Sequence, residues 1–245
     1  MDILPYPFLN VKIKTIKNIY KIKNTKKSQN KSQNKSKYSL AQALKLCYNV
    51  FIFLHLKKWS KDMDWETLEE ACRTCHKCAL GDTRTNCVFG TGSRTAELMF
   101  VGEAPGEQED LSGTPFVGRA GQLLNKFLDA VDIPREKVYI ANILKCRPPE
   151  NRDPLPAEEE ACIGYLRDQV RLIRPKVIVC LGRIAAMKLI KPDFRITKEH
   201  GEWFRKGDYL MTAVYHPAYL LRDPRKKEDM LTDMKRLRAK LDEMN

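Results

Sequence analysis

The chain predicts an α/β fold, a three-layer sandwich with a small central parallel sheet between helix layers. Three observations carry this. Short apolar runs rich in β-branched residues recur along residues 97–215, as in strands buried on both faces. Segments with apolar residues at helical spacing alternate with them. Pro134, Pro156 and Pro175 fall between the two kinds of segment.

The first 62 residues stand apart. They hold 14 Lys, no Arg and two acidic residues, Asp2 and Asp62, whereas the whole chain has 44 basic and 31 acidic residues and a net charge of +13. The remainder is left with 30 basic and 29 acidic groups, so the basic character belongs to the extension. Residues 11–37, with the near repeat KSQNKSQNKSK, have too few apolar groups to offset the entropy of ordering, and disorder is expected. The extension reads either as a segment without a role or as a basic arm for DNA phosphates. Val50–Leu56 is far shorter than the roughly 20 apolar residues of a membrane span. No cleavable signal is read at the N-terminus, so a cytoplasmic protein away from membranes is expected. The folded domain is expected over residues 63–245.

In that domain, Glu97–Gly102, Val138–Ile143 and Lys176–Leu181 read as strands, with Leu210–Tyr215 as a fourth. Gly121–Val131 reads as a helix through Leu124, Phe127, Leu128 and Val131, and Ala157–Ile173 through Ala161, Tyr165, Leu166, Val170 and Ile173. Pro224–Met244 reads as a final charged helix. Parallel sheets place ligands beyond the carboxyl ends of their strands, which directs attention to the loops after Val101, Ile140 and Val214.

Those loops carry chemistry. Gly102-Glu103-Ala104-Pro105-Gly106-Glu107-Gln108-Glu109-Asp110 sets glycines around a proline, so a backbone can approach a planar ligand, while its carboxylates repel phosphate. Asn142 ends the second strand with an amide that donates and accepts together. Tyr215-His216-Pro217-Ala218-Tyr219-Leu220-Leu221-Arg222 places a histidine, apolar side chains and a cation on one turn.

Eight cysteines in a chain read as cytoplasmic point to metal or packed thiols before disulfides. Cys47 lies in the extension, Cys180 inside an apolar strand as a core thiol, and Cys87 in a loop without an evident partner. Cys72, Cys75, Cys78, Cys146 and Cys162 remain. Four thiolates suit tetrahedral zinc or an iron–sulfur cluster, and spacing alone does not choose.

GEAPG at 102–106, GTPFVGRAGQLL at 113–124, NILKCRPPENR at 142–152 and HPAYLLR at 216–222 resemble the family 4, iron–sulfur, uracil-DNA glycosylases. The resemblance runs from about Cys75 into the C-terminal helix. It implies the uracil-DNA glycosylase fold and a [4Fe–4S] cluster on Cys75, Cys78, Cys146 and Cys162, with Cys72 extra to the pattern. It also implies hydrolysis of the bond between uracil and deoxyribose. In these terms Phe116 stacks on the base and Asn142 pairs with its edge, while main-chain groups at Glu103, Ala104 and Pro105 contact the ring.

His216 is expected to donate to the uracil oxygen on which charge develops, with Glu103 or Glu109 as the remaining carboxylate. Ala104 stands where better-known glycosylases carry an Asp. Without a lysine in the 102–110, 113–124 or 216–222 motifs to form a Schiff base, a monofunctional reaction is expected. Leu220 or Arg222 is expected as the wedge into DNA, while Arg147 and Arg152 read either as contacts to DNA phosphates or as residues solvating a loop. The expected partner is uracil-containing DNA, single- or double-stranded, with a sliding clamp as a further candidate, and the chain is expected to act as a monomer. Two other readings stand beside this one: a broader family 5 type glycosylase, favoured less by the acid-rich first motif, and a catalytically dead DNA-binding module of a replication protein.

Overall fold

The computed structural model describes residues 64–244. The expectations for residues 1–62, including Cys47 and Val50–Leu56, lie outside the described residues.

A six-stranded sheet forms the middle layer, in the order β1-β3-β2-β4-β6-β5. Its four parallel strands are β2 (Leu98–Gly102), β3 (Tyr139–Asn142), β4 (Val177–Leu181) and β6 (Tyr209–Val214). These are the expected strands to within one or two residues at each end. Two short antiparallel edge strands, β1 (Thr91–Gly92) and β5 (Phe204–Lys206), were not expected.

Strand pleating sorts the core into two layers. Leu98 and Phe100 of β2 face one cluster with Leu124, Phe127 and Leu128 of helix α4 (Arg119–Asp129) and Met230, Met234 and Leu237 of α9 (Lys227–Asp242). Met99 and Val101 face the other, with Ile163, Leu166 and Ile173 of α5 (Pro156–Ile173) and Ala185 and Ala186 of α6 (Arg183–Leu189). Successive residues of one strand thus serve opposite helix layers, which is why the strands read as continuous apolar runs. Removing a buried Leu124 side chain should cost about 2–5 kcal/mol.

The start of α5 follows local chemistry. Pro156 occupies its first turn, where the missing N–H is no loss, and the Glu158 carboxylate accepts from Leu155 N at 2.8 Å. A third cluster, Leu68, Cys72, Leu80, Cys87, Phe89, Leu144, Cys146, Cys162 and Tyr165, joins α1 (Trp65–Arg73) and α2 (Leu80–Thr83) to α5. The remaining helices, α3 (Glu107–Ser112), α7 (Ile196–Glu199) and α8 (Pro217–Arg222), are short and lie around the carboxyl ends of the strands.

Candidate active site

The loops following all four parallel strands open onto one cavity of about 620 Å³, within the usual range for small-ligand sites. Glu103, Ala104, Pro105 and Glu109 reach it after β2, Asn142 from the end of β3, and Tyr215, His216, Tyr219 and Arg222 after β6, with Phe116 beside them. Gly182, Arg183 and Ile184, after β4, complete the wall. The sequence reading missed this fourth contribution, although Leu181-Gly182 ends an apolar run in the same manner as the others.

Phe116 is held at φ 54, a region that bulky side chains seldom adopt. The turn behind it is too tight for a side chain: a Cβ at Gly121 would lie 1.8 Å from the Phe116 oxygen. Glu109 fixes the same turn, its Oε1 accepting from Val117 N at 2.9 Å and Gly118 N at 2.8 Å. Glu109 therefore serves at least as a clamp on the Phe116 loop, which distinguishes it from Glu103 among the two expected carboxylates.

Asn142 is 1 % exposed, and its Oδ1 receives no hydrogen bond within the protein. A buried amide oxygen without a donor is costly unless a ligand satisfies it. Gly102 is part of this arrangement, because a Cβ there would lie 2.3 Å from Asn142 Oδ1 and 2.7 Å from Phe116 Cζ.

His216 caps α8, its Nδ1 accepting from Ala218 N at 3.1 Å. That bond places the proton of the neutral ring on Nε2. Burial, aided by the Arg222 cation, holds the imidazole down to about 4, so the ring is neutral at physiological pH. Its ring centroid lies 5.8 Å from that of Phe116. A Cβ at Gly182, where φ is 91, would sit 2.7 Å from His216 Cβ. Glu103 is pushed the other way, up to about 7, by burial first and then by Asp153 and Glu159, against the opposing Arg183 charge. One neutral donor and one carboxyl that titrates near neutrality thus share the cavity.

One expectation for the DNA-facing side chains is corrected. Leu220 is fully buried in the α9 layer and is not displayed for insertion, whereas Leu221, next to it on α8, is 37 % exposed. Arg152 is bound through both guanidinium nitrogens to the buried Glu158, at 2.6 and 2.9 Å, so it staples its loop. Arg147 donates to Asn151 Oδ1 at 2.9 Å. Arg222 lines the cavity and is exposed.

Cys75, Cys78, Cys146 and Cys162 line a second, smaller cavity with Cys72, Arg84, Lys145 and Tyr165. Three of these sulfurs accept hydrogen bonds: Cys75 from Lys77 N at 3.5 Å, Cys146 from Arg84 Nη1 at 3.1 Å and Cys162 from Lys145 N at 3.3 Å. Burial pushes the Cys146 thiol up to about 12 and Cys162 up to about 11. Among the described residues no three His, Cys, Asp or Glu side chains form a site for a single metal ion. Cys180 is a packed core thiol, fully buried in β4.

This sheet, with a cavity at its carboxyl edge, is that of a member of the uracil DNA glycosylase superfamily, whose family model matches residues 89–239. A type-4 uracil-DNA glycosylase of Archaeoglobus fulgidus is 46% identical over 185 residues, covering 70% of this chain and 92% of that protein. One from Sulfurisphaera tokodaii is 42% identical over 182 residues, covering 71% of this chain and 83% of its own length. A type-5 uracil-DNA glycosylase of Pyrobaculum aerophilum is 32% identical over 148 residues, 53% of this chain and 64% of that protein. The chain belongs to the type-4 uracil-DNA glycosylases.

Proposed function

We propose that this chain removes uracil from DNA by hydrolysis, with Asn142 reading the base, His216 stabilising the leaving group and Glu103 activating water. The observation that carries this reading is the unpaired, buried Oδ1 of Asn142 in the same cavity as Phe116 and a neutral His216.

A base in a duplex is out of reach of such a cavity, so it must leave the stack first. Phe116 offers a face on which the flipped ring stacks. Asn142 Oδ1 accepts the uracil N3–H while Nδ2 donates to O4. Cytosine presents the opposite pattern and leaves both groups unpaired. As the bond between N1 and C1′ breaks, its electron pair passes to the base. His216 Nε2–H donates to the O2 on which that charge collects. Water adds to C1′ and gives its proton to Glu103, leaving free uracil and an abasic sugar. Leu221 and Arg222, both exposed on α8, hold the DNA while the base is out.

The residues at the second cavity fit a [4Fe–4S] cluster. Cys75 and Cys78 on one turn face Cys146 and Cys162 across a single cavity, with main-chain and guanidinium N–H groups directed at the sulfurs as thiolates require. When bound, such a cluster supplies four iron–thiolate bonds that cross-link the segment before α2 to β3 and α5. Substituting Cys146 by Ser should lose iron and solubility together, whereas Cys72→Ala should keep the iron.

Incubating the purified chain with a uracil-bearing oligonucleotide, then treating with alkali, tests the function. Free uracil and alkali-dependent scission at the uracil position are expected. Scission without alkali would exclude a monofunctional enzyme, and an intact strand would leave the dead-module reading.

A further inference from the structure

Two cysteines play no part in the reading above. Cys72 Sγ and Cys87 Sγ lie 3.4 Å apart, and both are buried, at 0 % and 5 % exposure. The other thiols of this lobe for which a hydrogen bond is seen accept it from an N–H group, whereas Cys72 and Cys87 are engaged with each other. Closing the gap to a covalent bond requires a movement of about 1.4 Å.

The position of this pair is informative. Cys72 is in the last turn of α1, and Cys75 N donates to its main-chain oxygen at 3.3 Å, so Cys72 supports the turn carrying Cys75 and Cys78. Cys87 is followed by Val88, whose N–H donates to Lys145 O at 2.8 Å, one residue before Cys146. A link between residues 72 and 87 would therefore tie the turn carrying Cys75 and Cys78 to the segment after β3 that carries Cys146. At its opposite end α1 is held by Trp65, edge-on to Phe89 and Tyr139 with centroids at 5.4 Å in both cases.

We propose that Cys72 and Cys87 form a disulfide that locks α1 onto the sheet and retains the second cavity in its closed form. A low-molecular-weight disulfide such as glutathione disulfide supplies the oxidising equivalents. The Cys87 thiolate attacks it while α1 is undocked, forming a mixed disulfide and releasing one glutathione thiolate. Cys72 then loses its proton and attacks the Cys87 sulfur, releasing the second. The two protein sulfurs give up two electrons and the glutathione disulfide is reduced to two thiols. Cys87 attacks first, because undocking α1 carries Cys72 away and leaves the Cys87 sulfur, held at the sheet through Val88 N and Lys145 O, open to the oxidant.

The test uses the full-length chain as purified. After equilibration with glutathione disulfide, free thiols are alkylated in denaturant and the chain is digested with trypsin. Cleavage after Arg73, Lys77, Arg84 and Arg94 puts Cys72, Cys75, Cys78 and Cys87 on four separate peptides, so any cross-link identifies its own partners. A linked Cys72–Cys87 peptide that separates on reduction is the expected product, absent in Cys87→Ala. Alkylation of both residues after equilibration would overturn the proposal, as would a link from Cys72 to Cys75 or Cys78. Iron content supplies an independent arm. Cys72→Ala and Cys87→Ala should retain iron but release it to a chelator several-fold faster than the oxidised parent, and loss of iron on purification would make either residue a ligand instead. Since the peptide measurement needs no metal, a colourless protein would remove the cluster reading without deciding this one.

Discussion

The Lys145 ammonium donates to the main-chain oxygen of Asn142 at 2.9 Å. Lys145 is fully enclosed, and its other two donors go to Phe89 O at 3.1 Å and Gln169 Oε1 at 2.7 Å. Its own N–H meets Cys162 Sγ, and the next residue is Cys146. One side chain therefore connects the Asn142 end of β3 to the thiol-lined cavity, a structural route from that cavity to the proposed base reader.

Lys145→Met tests this route. It removes a buried cation and takes the ammonium donor from Asn142 O and Gln169 Oε1, while Phe89 O keeps Gln169 Nε2 at 2.9 Å, a loss of several kcal/mol in stability. Because Asn142 is then free to shift, kcat on uracil should fall by about 10²-fold even at temperatures where the variant is folded. A variant that melts earlier yet retains the parent kcat would make Lys145 a fold residue alone.

The pH profile should report Glu103 and not His216. With Glu103 raised to about 7 and His216 held to about 4, the base form of the first appears as pH rises through 7, while the second stays neutral throughout. Single-turnover rates should therefore rise through pH 7 to a plateau, and Glu103→Gln should flatten the rise at a low rate. His216→Ala should cost roughly 10²–10³-fold in kcat at every pH, the effect of one donor to a developing anion. Stability carries the opposite sign. The folded chain holds the Glu103 proton more tightly than the unfolded chain, a stabilisation complete below pH 4.5 and lost as pH rises through 7. Glu103→Gln should thus raise the melting temperature above pH 7 and leave the comparison near pH 4.5 unchanged.

Leu220 and Leu221 show where sequence was ambiguous. Neighbours on a helix point about 100° apart, and HPAYLLR does not say which leucine faces the core. The parallel strands were legible because burial on both faces writes an unbroken apolar run, while β1 and β5 were not, being two and three residues long with polar or charged members. Phe116, Asn142 and His216 were found as motif residues. Lys145 stood in view between apolar Leu144 and Cys146, but nothing in a linear reading shows that an ammonium turns inward. The pairing of Arg152 was not legible because its partner, Glu158, lies across a proline-bounded turn.

The two leucines should separate in experiment. Leu220→Ala removes a fully buried side chain and should cost about 2–5 kcal/mol in folding. Leu221→Ala should leave the melting temperature close to the parent and reduce excision from duplex more than from single-stranded DNA, where no partner strand must be held open. Equal losses on both substrates would remove Leu221 from the wedge role.

Asn142→Asp addresses the choice of base. Ionised, the new side chain presents oxygen to uracil O4 and repels it. Protonated, it donates to cytosine N3 and accepts from the N4 amino group. Excision of uracil should therefore fall by roughly 10²–10⁴-fold, with cytosine release appearing where the parent shows none. Gly102→Ala separates this chemistry from mere displacement, since its added methyl lands 2.3 Å from Asn142 Oδ1 and forces the amide aside without altering its hydrogen-bonding type. That variant should lose uracil activity and gain none on cytosine. If both variants lose uracil and neither acts on cytosine, Asn142 holds the strand end in place and the base is read by the main chain of Glu103, Ala104 and Pro105. If Asn142→Asp alone gains cytosine, the unpaired Oδ1 is the specificity element.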